Sequence, residues 1–313
     1  MKNKSKIIFF GTPKFADIIL KELIAADYKP CLIVTAPDKP VGRKQELVPP
    51  ATKITAKKHG IEVWQPEKLE IGNWKLEINK LGHIDFAVVA AYGKIIPKEI
   101  LDTLKNRFAN IHPSLLPKWR GPSPVHSALL HGDTTTGSTI ILLDEKMDHG
   151  PILAQEALKI SETDTTESLT EKLAIHGAKV LIKTIPDWTS GKIKSKEQDH
   201  NSASYTKIIT REDGRVDWHE SAPSLERRLR AFTPWPGLFT YWEEKRLKIL
   251  SLDTEKNEQK INPGQVVQHK NIFAIQTGRG LVLPREVQLE GGKPMEVKEF
   301  LKGHPGIIGV QLL

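Results

Sequence analysis

Two side chains that could handle a charged oxygen and a proton lie close together near residue 110. Asn110 and His112 end the segment 107–112, which predicts a β-strand. Because side chains alternate along a strand, both should project from one face while Ile111 projects from the other. An asparagine amide can donate to a developing oxyanion, and a histidine can carry a proton near neutral pH. The pair is a candidate catalytic site; hydrogen bonding to the adjacent loop is the structural alternative.

The segment after this pair predicts a rigid loop. Prolines stand at 113, 117, 122 and 124, and Pro113 biases His112 toward an extended backbone. A rigid loop at the carboxyl end of a strand is where an α/β sheet builds its ligand site.

A second polar loop, 144–151, follows a predicted strand about thirty residues later. A carboxylate there could orient His112 and stabilise its protonated form. Asp144 and Asp148 both meet this requirement, and from the residues alone a solvated acidic turn is the better interpretation of this loop. The spacing does not choose between the two aspartates.

Strand-like runs alternate with helical patterns through residue 191, which indicates a parallel α/β sheet. The strands are expected at 6–10, 30–36, 61–64, 85–91, 107–112, 136–143 and 152–159, and 37–50 is expected to be a loop. Residues 192–206 are polar and have no periodicity, so they are interpreted as a linker. Residues 207–313 hold one helical segment and several short strand-like runs, typical of a small antiparallel barrel such as the OB type. The predicted domains are therefore 1–191 and 207–313.

Composition narrows the class of protein. A single cysteine, Cys31, excludes an intrachain disulfide framework and argues against a cysteine zinc site, and no histidine spacing suggests a metal. No apolar run approaches the roughly 20 residues of a membrane span, so a soluble cytoplasmic protein is expected.

The net charge of +8 permits a nucleic-acid partner without establishing one. The segment 38–58 is the most basic, with six basic and two acidic residues.

At this point the motifs resemble those of a known family. The segment Asn110-Ile111-His112-Pro113-Ser114-Leu115-Leu116-Pro117, followed by Met147-Asp148-His149-Gly150-Pro151, is similar to the signature of the folate-dependent formyltransferases. The resemblance runs nearly end to end and includes 8–13, 37–43, 89–93, 211–218, 230–232 and 234–237. The basic loop and the C-terminal part resemble those members that act on methionyl initiator tRNA.

The resemblance implies a Rossmann-like catalytic domain followed by an OB-like domain. It also implies transfer of a formyl group from 10-formyltetrahydrofolate to the α-amino group of methionyl initiator tRNA, by a monomer that needs no metal. By motif match the catalytic residues would be Asn110, His112 and Asp148, which selects Asp148 over Asp144. The folate site would include Ser114, Leu115, Leu116, Pro117, Tyr92 and Gly93. The tRNA-binding residues would be Lys39, Arg43 and Lys44.

The basic loop departs from the family pattern. Many relatives carry a glycine and paired lysines after the arginine, whereas this chain reads Lys44-Gln45-Glu46-Leu47. Three other functions fit parts of the pattern. They are a formyltransferase for another amine (an amino sugar or glycinamide ribonucleotide), an RNA-binding protein on an inactive scaffold, and a formyl-folate hydrolase. The intact trio argues against the inactive scaffold.

Overall fold

The computed structural model describes residues 5–42, 45–257 and 262–312. The chain divides into two compact units. The first comprises Met1–Pro124, Thr134–Ile160 and Leu169–Thr206, and the second comprises Val125–Asp133, Ser161–Ser168 and Lys207–Leu313.

The N-terminal half contains nine strands and six helices among the described residues. The strands are β1 (Ile7–Gly11), β2 (Leu32–Val34), β3 (Lys39–Val41), β4 (Glu46–Val48), β5 (Glu62–Trp64), β6 (Phe86–Ala90), β7 (Phe108–His112), β8 (Thr135–Leu142) and β9 (Ile152–Lys159). The helices are α1 (Lys14–Ala25), α2 (Ala51–Lys58), α3 (Ile71–Leu81), α4 (Lys98–Leu101), α5 (Pro124–His131) and α6 (Thr166–Thr189).

Seven of these strands form one sheet in the order β5-β2-β1-β6-β7-β8-β9. The predicted parallel sheet is confirmed for the first five strands, which pair in parallel. Strand β8 pairs antiparallel with both β7 and the edge strand β9, which the alternation of elements did not predict. Only nine residues join β8 to β9, too few for the crossover that parallel strands require. From β1 the chain adds strands toward one edge of the sheet, and from β6 it adds them toward the other edge. The point between β1 and β6, where the order of strands switches, is where open α/β sheets bind ligands.

Helices cover the central strands of the sheet. Every residue of β1, β6 and β7 is buried. Helix α6 approaches β7 closely at Gly177, where an added Cβ would lie 2.6 Å from Cγ2 of Ile111. Ile111 therefore faces the core beneath α6. The other face of β7 is left to Asn110 and His112.

Two predictions about irregular segments were wrong. The predicted loop 37–50 contains a hairpin, because β3 and β4 pair antiparallel. The predicted linker 192–206 belongs to the first unit, where the backbone of Lys196 exchanges two hydrogen bonds with Ile152, 2.7 and 2.8 Å long. Hydrogen bonds, and not an apolar face, attach this segment to the rest of the unit. Its sequence therefore shows no periodic pattern of apolar residues.

The second unit is built on an antiparallel sheet. Its elements are α7 (Ala222–Phe232), β10 (Leu238–Trp242), β11 (Lys245–Glu255), β12 (Val266–His269), β13 (Ile272–Gln276), β14 (Leu281–Leu289), β15 (Met295–Glu296) and α8 (Val297–Gly303). The strand order is β10-β11-β14-β13-β12, with β15 on β14. This confirms an antiparallel β domain, and the OB type stays a prediction. Of the helices that the structure describes, none has the length and apolarity to cross a membrane.

Candidate active site

The imidazole of His112 lies between two oxygen acceptors at the carboxyl end of β7. Its Nε2 is 2.9 Å from the carbonyl oxygen of Trp119, and its Nδ1 is 3.4 Å from Oδ1 of Asp148. A carbonyl oxygen can only accept, so Nε2 carries a proton and donates it. Nδ1 is then the nitrogen that can take up a second proton, facing a carboxylate that would stabilise it.

The carboxylate of Asp148 is held in place from its other side. Oδ2 accepts a hydrogen bond of 2.7 Å from the backbone N–H of Gly121. Asp148 has a φ of 51°, a left-handed conformation that aspartate tolerates better than most residues. At Gly150 an added Cβ would lie 1.8 Å from the carbonyl oxygen of Leu142, so the loop needs glycine there. Together these features direct the carboxylate at His112.

Asp144, the alternative acid, interacts within its own loop. Its Oδ2 lies 2.6 Å from Nδ1 of His149, and its Oδ1 accepts from the backbone N–H of Lys146 at 2.9 Å. The structure therefore brings Asp148 to His112 and directs Asp144 to His149.

Asn110 shares the same face of β7 and is nearly buried, with 9% of its surface exposed. Among the described residues its side-chain amide has no hydrogen-bond partner. The amide atoms are not among the fully buried polar atoms that lack a partner, so this amide keeps an open side. Asn110 can therefore donate to an oxygen bound beside His112.

The loop after β7 is fixed by residues of β8 and β9. The Thr139 hydroxyl donates to the Ser114 carbonyl at 2.6 Å and accepts from the Leu116 N–H at 3.1 Å. The Gln155 amide donates to the Leu116 carbonyl at 2.9 Å. The side chains of Ser114 and Leu116 are buried, whereas Leu115 and Pro117 are partly exposed. Of these four expected folate residues, only Leu115 and Pro117 keep part of their surface exposed.

The other two expected folate residues follow β6. The Tyr92 ring packs in the core, edge-on to Phe10 at 5.4 Å between centroids. Its hydroxyl is buried without a partner among the described residues, and burial raises the pKa of Tyr92 to about 12. Tyr92 therefore has a core side chain, and the exposed backbone of Gly93 is the ligand-accessible surface here.

The three expected tRNA residues belong to the β3–β4 hairpin region. Lys39 on β3 is exposed, whereas Arg43 and Lys44 lie outside the described residues. Lys53, part of the same basic segment, is bound to Asp38 at 2.8 Å. Hydrogen bonds from Gln65 and Lys53 lower the pKa of Asp38, so this carboxylate stays charged and offsets one lysine.

Sequence reasoning missed a polar network behind these loops. The Arg120 guanidinium, 1% exposed, donates to Oε1 of Gln198 at 2.7 Å through Nη2 and to Nδ1 of His200 at 2.9 Å. The rings of His200 and His149 stack with centroids 3.9 Å apart. Arg120 lies about 80 positions from Gln198 and His200 in the chain, and no local spacing signals such a contact.

Comparison with known proteins finds matches along most of the chain. Residues 5–185 match the family described as Formyl transferase, and residues 208–305 match the Formyl transferase C-terminal domain. The chain is 40% identical to the methionyl-tRNA formyltransferase of Thermodesulfovibrio yellowstonii over 299 residues, 96% of each chain. It is 39% identical to that of Listeria monocytogenes over 300 residues, again 96% of each.

Solved structures show the same fold at low identity. The sugar 3N-formyl transferase WlaRD, determined with dTDP and 5-N-formyl-THF, has a TM-score of 0.64 at 20% identity, covering 90% of this chain and 98% of its own. The N-formyltransferase of Helicobacter canadensis, in complex with folinic acid and dTDP-3-aminofucose, has a TM-score of 0.65 at 18% identity, covering 90% and 99%. With both domain matches and near-complete coverage of close relatives, the chain belongs to the formyl transferase family and is similar throughout to methionyl-tRNA formyltransferases.

Proposed function

We propose that this protein transfers the formyl group of 10-formyltetrahydrofolate to the α-amino group of methionyl initiator tRNA, giving formylmethionyl-tRNA for translation initiation. The observation that carries the proposal is the His112–Asp148 pair beside the unpartnered amide of Asn110. The 40% identity to a methionyl-tRNA formyltransferase over 96% of both chains supports tRNA as the acceptor.

The chemistry assigns a role to each member of the trio. Formyl-folate, when bound, supplies an activated formyl carbon for attack by the amine. His112 accepts the proton that the amine loses, at Nδ1, while Asp148 stabilises the resulting imidazolium. His112 then returns the proton to the nitrogen that leaves the formyl carbon. Asn110 donates to the formyl oxygen as negative charge develops, a contribution commonly worth about 2.7–4 kcal/mol.

The surroundings of the trio fit a folate donor. The partly exposed Leu115 and Pro117 offer apolar surface to a ring, and Gly93 allows close approach of backbone. The buried Ser114, Leu116 and Tyr92 support the walls of this site from behind. This chemistry calls for no metal.

The acceptor is proposed to bind through basic side chains. Lys39, Arg43 and Lys44 would contact phosphates of the acceptor stem, and the net charge of +8 favours a polyanion. The protein would act as a monomer in the cytoplasm, where initiator tRNA is charged.

The deciding experiment incubates the purified protein with methionyl initiator tRNA and 10-formyltetrahydrofolate and follows formylmethionyl-tRNA. We expect product only with the charged tRNA. Parallel reactions contain a dTDP-amino sugar, glycinamide ribonucleotide, or no acceptor. Formylation of the sugar or the ribonucleotide without formylation of tRNA would overturn the proposed acceptor, and loss of formyl-folate without acceptor would indicate a hydrolase.

A further inference from the structure

Gln198 uses its whole side-chain amide to connect the two catalytic loops. Its Nε2 donates to the carbonyl oxygens of Asp148 at 2.9 Å and Gly150 at 2.8 Å. Its Oε1 accepts from Nη2 and Nε of Arg120, at 2.7 and 3.2 Å. With 5% of its surface exposed, Gln198 is a buried polar group with its hydrogen bonds satisfied.

The network around Arg120 determines which way the Gln198 amide points. A guanidinium can only donate, so the amide oxygen must face Arg120 and the NH₂ must face the two carbonyls. Among the described residues every hydrogen-bond acceptor of Arg120 is neutral, namely Gln198, His200 and the hydroxyl of Tyr205. A buried cation without an anionic partner is stabilised only by these hydrogen bonds, so the loss of any one acceptor is costly.

Both ends of this connection lead to the His112–Asp148 pair. Arg120 lies between Trp119, whose carbonyl accepts from His112, and Gly121, whose N–H donates to the Asp148 carboxylate. At the other end Gln198 holds the backbone of Asp148 itself. One side chain from outside either loop thus fixes the two loops relative to each other.

We propose that Gln198 is a positioning residue for the reaction: it keeps the Asp148 carboxylate at the distance from His112 that proton transfer requires. The inference rests on the proposed function and adds to it a residue from a segment that sequence reasoning had interpreted as a linker. Gln198 touches no reacting atom, so its effect is on the rate of transfer rather than on substrate binding.

The test compares wild type with Gln198→Glu and Gln198→Met in steady-state formylation of methionyl initiator tRNA. The glutamate keeps an acceptor for Arg120 but has no donor for the two carbonyls, and methionine keeps the volume without either. Because misplacement by about 1 Å can cost about 10²-fold, we expect kcat to fall roughly 10–100-fold, with KM for formyl-folate changed less than about twofold. Gln198→Met carries the test if the buried carboxylate of Gln198→Glu prevents folding.

A matched control and a double variant separate positioning from general destabilisation. Glu197→Gln changes the exposed neighbour on the same segment and should leave kcat unchanged. In an Asp148→Asn background, Gln198→Met should reduce the rate less than about threefold further, because residues that act as a unit are not additive. Full multiplication of the two effects, or a wild-type kcat in Gln198→Met, would overturn the inference.

A readout independent of the reaction distinguishes this inference from the proposed function. The Gly121 N–H donates to Asp148, so its hydrogen exchange reports how firmly the carboxylate is held. In Gln198→Met this amide should exchange at least about tenfold faster, while amides of β6 stay protected. Unchanged exchange at Gly121 would refute the positioning role whatever acceptor the enzyme formylates.

Discussion

At the scale of single residues, His112 is defined by what faces its two nitrogens. The Trp119 carbonyl requires a proton on Nε2, and the Asp148 carboxylate stands ready for one on Nδ1. The Trp119 carbonyl therefore orients the ring through Nε2, and Nδ1 is left for chemistry beside the carboxylate; in the Ser-His-Asp triad the acid instead holds the orienting nitrogen.

His112→Ala should therefore reduce formyl transfer by roughly 10²–10⁴-fold, the usual contribution of a general acid–base group. The ring is buried and bonded to Trp119, so its loss should also lower the free energy of unfolding by about 1–3 kcal/mol. Single-turnover rates, measured well below the melting temperature of the variant, keep the two effects apart. A variant with more than half the wild-type rate would remove His112 from the mechanism.

The two aspartates of the second loop offer a matched pair of substitutions. Asp148→Asn replaces the carboxylate facing Nδ1 by an amide and should lower the single-turnover rate roughly 10²–10⁴-fold. Asp144→Asn alters only the contacts to His149 and Lys146 and should stay within about threefold of wild type. A larger loss in Asp144→Asn would reverse the assignment of the acid.

At the scale of elements, the β8–β9 loop positions Asp148 through a backbone conformation that leaves no room for a side chain at Gly150. Gly150→Ala would place Cβ 1.8 Å from the Leu142 carbonyl, so the loop carrying Asp148 must shift. We expect a rate loss on the order of 10²-fold and a destabilisation of about 1–3 kcal/mol.

Gly72→Ala serves as the control for this change. Gly72 lies in α3, and an added Cβ would meet nothing within 4 Å. Alanine in a helix should be neutral or stabilising by up to about 1 kcal/mol. The melting temperature and kcat of Gly150→Ala and Gly72→Ala are compared with those of wild type. If Gly150→Ala changed both quantities as little as Gly72→Ala does, the β8–β9 loop would be able to accommodate a Cβ at position 150.

The elements that sequence analysis placed well are those with a strong hydrophobic pattern. Strand β6 is apolar throughout and buried on both faces, so its sequence marks it within one residue. Strand β7 was also placed within one residue, although Asn110 and His112 interrupt its apolar residues. The β3–β4 hairpin was missed because its strands have three residues each, β4 is exposed, and Pro40 interrupts β3. The direction of β8 was missed because alternation along a strand says nothing about which way it runs.

The part of the candidate site that follows a local sequence pattern could also be predicted. Asn110 and His112 share a strand, so period two places them on one face. Spacing alone left the partner of His112 open between two acids, since contact across two loops leaves no local pattern, and only the resemblance to the family selected Asp148 before the geometry separated them. Gln198 and Arg120 gave no signal at all, because a hydrogen bond between residues 78 positions apart has no sequence pattern.

At the scale of the whole molecule, the net charge of +8 bears on how a polyanionic substrate is captured. Positive charge accelerates encounter and supplies contacts to phosphates, and both effects weaken as salt rises. The basic segment 38–58 contributes less free charge than its composition suggests, because Lys53 is bound to Asp38. Lys39, Arg43 and Lys44 thus remain as the expected tRNA contacts of this segment.

Arg43→Ala should raise KM for methionyl initiator tRNA while KM for formyl-folate stays nearly unchanged, because formyl-folate is expected to bind at the trio. If Arg43 contacts a phosphate, the slope of log KM against log salt should flatten by about one unit. If it contacts a base edge, discrimination among acceptor stems should relax instead. Lys75→Ala, which removes one exposed positive charge from α3, is the control and should leave both constants unchanged. Equal KM values for tRNA in wild type and Arg43→Ala, at low and moderate salt, would exclude this residue from tRNA binding, and the second unit would then have to supply the contacts.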